Sequence, residues 1–99
     1  MYTSKLANEE TDRLFDAVLS LRDREECYRF FEDLCTINEV KSMAQRLDVA
    51  RRLRAGEVYS RVAEDTGAST ATISRVNRCL HYGADGYRNV LARLEDRPD

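Results

Sequence analysis

The residues of this chain best suited to chemistry lie between Tyr59 and Leu80, in a stretch ending G-A-S-T-A-T-I-S-R-V-N-R-C-L from Gly67 onward. Small hydroxyl residues come first, at Ser69, Thr70 and Ser74, and two arginines follow, Arg75 and Arg78. On one helix, Thr70, Ala71, Ser74, Arg75 and Arg78 share a face, and Ile73, Val76 and Leu80 recur at the core-facing spacing opposite. Short side chains at the start of a helix let that end enter the major groove, and arginines further along reach base edges or phosphates.

Such a helix must be held by another. Val62, Ala63 and Thr66 fall on one face of a short helix just ahead, and Gly67 sits at the corner, where a left-handed residue ends a helix at little steric cost. Ser69 or Thr70 then caps the second helix with its hydroxyl. Small residues, Ala63 and Gly67, permit close packing at the turn. The whole reads as a helix-turn-helix, with Arg61 on its first helix placed for phosphate. The plain alternative is an αα-hairpin, which would have to arrive at the hydroxyls, the arginines and the glycine corner by accident.

Other chemistries find little support. His81 is the sole histidine, without Cys or carboxylates at metal-ligand spacing. No Gly-rich phosphate loop occurs, and the serines have no base at a readable position. No enzyme activity, metal or cofactor is expected. Cys27, Cys35 and Cys79 show no C-x-x-C pairing, and no signal peptide or membrane-length apolar run is present. They read as reduced thiols in a cytoplasmic protein, with Cys27 and Cys35 as small buried hydrophobes.

The 99 residues make one domain, too short for a large core, so an oligomer is plausible. The net charge of −2 is unevenly spread. Residues 1–40 carry five basic and ten acidic side chains, residues 41–80 eight and four, and residues 81–99 three and four. The positive block coincides with the helix-turn-helix and the helix before it, and the acidic remainder limits indiscriminate adhesion to DNA.

Several further elements must carry this motif. After a loose arm at 1–7, with Leu6 tucked onto the core, Asn8 caps a first helix to about Leu21 whose apolar face is Leu14, Phe15, Val18, Leu19 and Leu21. Asp23 caps a second helix, about Arg24 to Leu34. Its stripe of Cys27, Tyr28, Phe30, Phe31 and Leu34 is wider than one neighbouring helix requires. Thr36 and Glu39 form a capping box for a long third helix to about Ala55, with Val40, Met43, Ala44, Leu47, Ala50 and Leu53 as its stripe and Gly56 as its C-cap. His81–Ala84 reads as a loop, and Asp85 caps a last helix to about Leu94 with Tyr87, Val90, Leu91 and Leu94 inward. The end, EDRPD, should fray.

From Thr36 to Leu80 the chain resembles the Trp repressor superfamily, and within it the small bacterial YerC/YecD-type Trp-repressor-like proteins. The resemblance rests on L-C-T at Leu34–Thr36, Arg46 in the long helix, R-R-L-R-A-G-E at Arg51–Glu57, and the Gly67–Leu80 string. It implies an all-α fold of about six helices and an intertwined homodimer. In such a dimer residues 1–35 supply interlocking helices, 36–55 the long central helix, 59–80 the helix-turn-helix and 85–95 the last helix. It also implies that two recognition helices meet successive major grooves of a palindromic operator in double-stranded DNA. The effector pocket of the Trp repressor maps onto Thr36, Arg46 and Arg75, then onto Val76 where that protein has Gly, and Cys79 where it has Ser. Filling an indole slot with a Val side chain costs about 1–3 kcal/mol. Tryptophan is therefore not expected as corepressor. Arg46 and Arg75 remain open to an anionic ligand, to phosphate or to structural ion pairs.

The expectation is a DNA-binding transcriptional regulator, a repressor by resemblance. DNA contacts fall to Arg61, Ser69, Thr70, Ala71, Ser74, Arg75 and Arg78. The rival is a protein-interaction adaptor that keeps the helix-turn-helix only as scaffold, which the negative total charge favours slightly.

Overall fold

Residues 2–96 are described by a computed structural model, and they form six α-helices: α1 Glu9–Leu19, α2 Arg24–Leu34, α3 Ile37–Arg54, α4 Tyr59–Thr66, α5 Thr70–Tyr82 and α6 Gly86–Glu95. The last three residues of the terminal EDRPD, and Met1 of the arm, lie outside the described residues. Two units divide the chain, residues 1–37 and 38–99.

In the first unit, local capping fixes both helices. The Asn8 Oδ1 accepts the Thr11 N–H at 2.7 Å, and Glu9, Glu10 and Asp12 load the first turn of α1 with the negative charge that a helix start favours. The Asp23 Oδ1 accepts the Glu26 N–H at 2.9 Å, while the Glu26 carboxylate reaches back to the Arg22 N–H at 2.8 Å. α1 ends two residues earlier than its apolar pattern suggests. The Ser20 hydroxyl donates to the Ala17 carbonyl at 2.6 Å and closes the last turn, which leaves Leu21 outside the helix. The arm is partly ordered by a turn in which the Ser4 hydroxyl accepts the Leu6 N–H at 3.0 Å; Leu6 itself is 62% exposed rather than tucked away.

Neither α1 nor α2 buries a single residue. Phe30 and Phe31 meet edge to face at 5.6 Å, but Phe15, Leu19, Tyr28 and Leu34 stay exposed. Cys27 is exposed and Cys35 half-buried, against the expectation of buried thiols, because this unit has no core of its own to receive them.

The second unit holds the core: Val49, Ala50, Val62, Ala68, Ile73, Val76, Leu80 and Leu91, with Leu53, Ala63 and Tyr87 packed at its edge. α3 enters it through Val49, Ala50 and Leu53, so of the expected stripe only its C-terminal members, Ala50 and Leu53, meet the core. Val49, outside the expected stripe, is fully buried, while Met43 and Leu47 remain about two-fifths exposed. At about 100° per residue, Val40, Met43, Ala44 and Leu47 point roughly 120° away from Val49, Ala50 and Leu53. The helix thus has two apolar faces, of which the second unit covers one.

Two further boundaries differ. α5 runs on through His81 and Tyr82, residues that read as loop, because the Arg88 guanidinium donates to the carbonyls of Leu80 (2.8 Å) and His81 (3.2 Å) and satisfies the helix end. Asp85 precedes α6 but makes no side-chain cap. Its backbone is left-handed (φ 66°), not the extended conformation from which a capping carboxylate reaches the first free N–H groups.

Candidate nucleic-acid interface

The turn between α4 and α5 is built from short-range bonds. Gly67 is left-handed at φ 74° and its N–H bonds the Ala63 carbonyl at 2.9 Å. The Thr66 hydroxyl donates to the Val62 carbonyl at 2.6 Å and accepts the Ala68 N–H at 3.2 Å, so one side chain spans the corner. Ala68 is buried at that corner, and Ser69 caps α5, its hydroxyl accepting the Thr72 N–H at 3.1 Å and donating to the Thr72 hydroxyl at 3.0 Å. Of the two candidate caps, Ser69 takes the role. That commits its hydroxyl to the fold, while Thr70 opens the helix.

α5 is sharply divided. Ile73, Val76 and Leu80 are buried to 6% exposure or less. Thr70, Ala71, Ser74, Arg75 and Arg78 are all exposed, along an arc of about 140° on the other side. Five of the seven expected DNA contacts therefore share one open surface, with Ser69 at its head. Arg61 is exposed on α4, but its Nε is bonded to the Asp65 carboxylate at 3.0 Å.

The residues mapped to an effector pocket are placed individually. Thr36 directly precedes α3. Arg46 is half-buried on α3 and donates to the Ser42 hydroxyl at 3.1 Å. Arg75 and Cys79 are exposed, and Val76, 1% exposed, is part of the core.

Spacing alone missed the ion-pair network that ties α3 to the motif. The Arg52 guanidinium, less than a quarter exposed, reaches Asp48 (3.1 Å), Glu57 (3.2 Å) and Asp65 (2.9 Å). Arg51 also holds Asp48, at 2.6 Å, and the Gln45 amide donates to the Thr66 carbonyl at 3.2 Å. At the far end of α3, Arg54 pairs with Glu95 of α6 at 2.9 Å. The pairs Asp48/Arg52 and Arg61/Asp65 are i,i+4 neighbours within one helix; the links from Arg52 to Asp65 and from Arg54 to Glu95 depend on the fold. Four arginines of the basic block, at 51, 52, 54 and 61, are thus balanced by carboxylates. Among the described residues Arg46, Arg75 and Arg78 have none; Arg46 is half-buried and bonds the Ser42 hydroxyl, while the other two lie on the open face of α5.

The network shifts its acids. The Arg51 guanidinium first, and Arg52 beside it, hold the Asp48 carboxyl below its ordinary 3.8. Asp65 is lowered mainly by Arg61. A carboxyl depressed by folding contributes stability that is whole above the unfolded value and disappears as pH falls through the folded one. The stability gap between the parent and Asp48→Asn should therefore be constant from pH 7 to about 5 and close on acidification below about 4. Urea titrations across that range check this; a gap that persists at low pH contradicts it. Among the described residues, no cluster of three His, Cys, Asp or Glu is placed to hold a metal, and no helix is long and apolar enough to cross a membrane.

An all-α chain that packs two short helices around a left-handed glycine and leaves the second with a polar, cationic outer face belongs to the helix-turn-helix class. The particular family follows from comparison: residues 9–95 match the model for the Trp repressor protein, and the chain belongs to that family. It is 59% identical over 96 residues to YerC of Bacillus subtilis (strain 168), covering 97% of this chain and 92% of that one. Its fold is similar to the crystal structure of a TrpR-like protein from Eubacterium eligens ATCC 27750, with TM-score 0.89 and 55% identity over 96% of this chain and 98% of that one. A candidate Trp repressor from Staphylococcus aureus matches at TM-score 0.89 and 49% identity, over 96% of this chain and 95% of that one.

Proposed function

We propose that this chain is a non-enzymatic, sequence-specific transcriptional repressor that acts in the cytoplasm as a homodimer, reads a palindromic operator through α5, and does not answer to tryptophan. One observation carries the reading. α5 buries Ile73, Val76 and Leu80 while turning Thr70, Ala71, Ser74, Arg75 and Arg78 outward, so a groove-sized helix face is left with short polar side chains at its start and unneutralised arginines behind them. Family membership supports the same conclusion.

The dimer is supported by what the single chain leaves exposed. Among its described residues the first unit buries none, and its Phe15, Leu19, Tyr28, Leu34 and Ile37 offer apolar area that a second copy would cover. Independence from tryptophan is supported by Val76, whose side chain belongs to the core and occupies a position where the Trp repressor has Gly.

The test is selection of bound duplexes from a random DNA pool, together with sedimentation equilibrium. A palindrome with half-sites one helical turn apart, bound by two chains, is expected. Enrichment of no motif, with a protein partner retained instead, would favour the adaptor. A melting temperature raised by L-tryptophan would overturn the corepressor statement.

A further inference from the structure

Arg61 stands on the outer surface of α4 with its side chain 68% exposed, yet it is not free. Its Nε donates to Asp65 Oδ2 at 3.0 Å, one turn along the same helix, and its Nη groups make no other hydrogen bond among the described residues. The same Oδ2 accepts from Arg52 Nη1 at 2.9 Å. One carboxylate oxygen therefore serves two guanidinium groups. Arg52 is the better anchored, since it also holds Asp48 and Glu57.

We infer that Asp65 is an internal competitor that DNA phosphate must displace from Arg61, and that Arg52, bonded to the same oxygen, limits how tightly Asp65 holds on. Asp65 and Arg52 are thus positioning residues for the protein–DNA contact and touch no DNA themselves. The inference rests on the DNA-binding reading above and adds an affinity control within the same motif. A phosphate presents anionic oxygens as Asp65 does, so Arg61 exchanges one for the other. Each exchange returns one carboxylate to Arg52 and water. An ion pair exposed to this degree is weak enough to be exchanged in this way, and for the same reason it can trim affinity without blocking it.

The experiment measures affinity for random-sequence duplex DNA by fluorescence anisotropy as a function of salt. Asp65→Asn should bind about two- to fivefold tighter, the range that exposed ion pairs span. The slope of log affinity against log salt should steepen by up to about 0.9 for each Arg61 that gains a full phosphate contact. Glu64→Gln makes the same change in charge at the next position and should give less than half that gain. The gain should vanish in Asp65→Asn combined with Arg61→Ala. Arg52→Ala should weaken binding by a similar factor in the parent background and have no effect once Asp65 is Asn, whereas a merely structural role for Arg52 would persist there. Equal gains from Asp65→Asn and Glu64→Gln, or a gain that survives Arg61→Ala, would overturn the inference while leaving DNA binding intact. A parent protein that binds no duplex at low salt would overturn both.

A second measurement needs no variant. In ¹⁵N spectra of the parent protein, the Arg61 Nε–H resonance should move on addition of duplex, and that of Arg52 should move less. An Arg61 resonance indifferent to bound DNA contradicts the exchange.

Discussion

Ile73→Ala should lower the unfolding free energy by about 2–5 kcal/mol, the usual cost of deleting a fully buried Ile side chain and leaving a cavity. The effect is large relative to what supports it. Domains are stable by only about 5–15 kcal/mol, and here the core among the described residues is eight residues, three of them on α5. Ile73 is the largest of the side chains exposed by less than 2%, and the residues it is clustered with come from α3, α4, the turn and α6. Its loss leaves several elements facing an empty volume that small neighbours such as Ala50 and Ala68 cannot fill. Urea unfolding should show the midpoint moving to lower concentration with the slope unchanged, which marks lost stability and not a changed denatured state. Ile73→Val, which removes one methylene, should cost about 0.5–1.5 kcal/mol. Because the face proposed to meet DNA lies on the opposite side of α5, the Val variant should keep the parent's DNA affinity while it is folded. A drop in affinity without loss of stability would mean that the two faces are not separate.

That separation was legible in the sequence because both faces depend on short-range periodicity. The positions of Ile73, Val76 and Leu80, the glycine corner and the Ser69 cap all follow from residues within one or two turns of each other, and local sterics decide them. The pattern misleads where distant groups decide. α5 continues through Tyr82 because Arg88, on the next helix, supplies donors to its end. Asp85 looks like a cap by residue type but sits in a left-handed backbone that prevents capping. Val49 joins the core, and not Met43 or Leu47, because α3 has two apolar stripes and spacing cannot say which one meets α4 and α5. The cysteines and aromatics of the first unit read as core residues by composition. In a single chain they are exposed or half-buried, since nothing within that unit is large enough to enclose them.

The basic block shows the same limit, with a consequence for function. Counted along the sequence, arginines 46, 51, 52, 54, 61, 75 and 78 look equally available to phosphate. Folding engages four of them with Asp48, Glu57, Asp65 and Glu95, and a cation already paired and hydrogen-bonded contributes less to the attraction of DNA than an open one. The positive charge that matters is therefore smaller and more localised than the composition suggests. On the proposed function, an acidic chain would read DNA through local contacts at the open face of α5 and not through long-range attraction, which its net charge keeps modest.

Arg75→Ala with Arg78→Ala should accordingly abolish most DNA binding, by at least about tenfold at 0.1 M salt, on the scale of about 1–3 kcal/mol for each base-directed arginine and a smaller, salt-dependent loss for each phosphate-directed one. Stability should be nearly unchanged, since both side chains are exposed and unpaired among the described residues, so a melting curve separates this variant from one that misfolds. The single substitutions then assign the roles. An arginine that reads a base should, when lost, relax the selected motif at one position in each half-site and leave the salt slope almost intact. An arginine that holds phosphate should weaken all sequences alike and flatten the slope by about 0.9 for each contact removed. Arg75 is nearer the start of α5, where a recognition helix approaches the bases, and should show the first behaviour; Arg78, a turn further from the groove, should show the second. Filter binding across a salt series and repeated selection with each variant supply both readouts. A double variant that binds its operator as the parent does would remove the arginines from the interface and, with them, the principal argument for α5 as the reading helix.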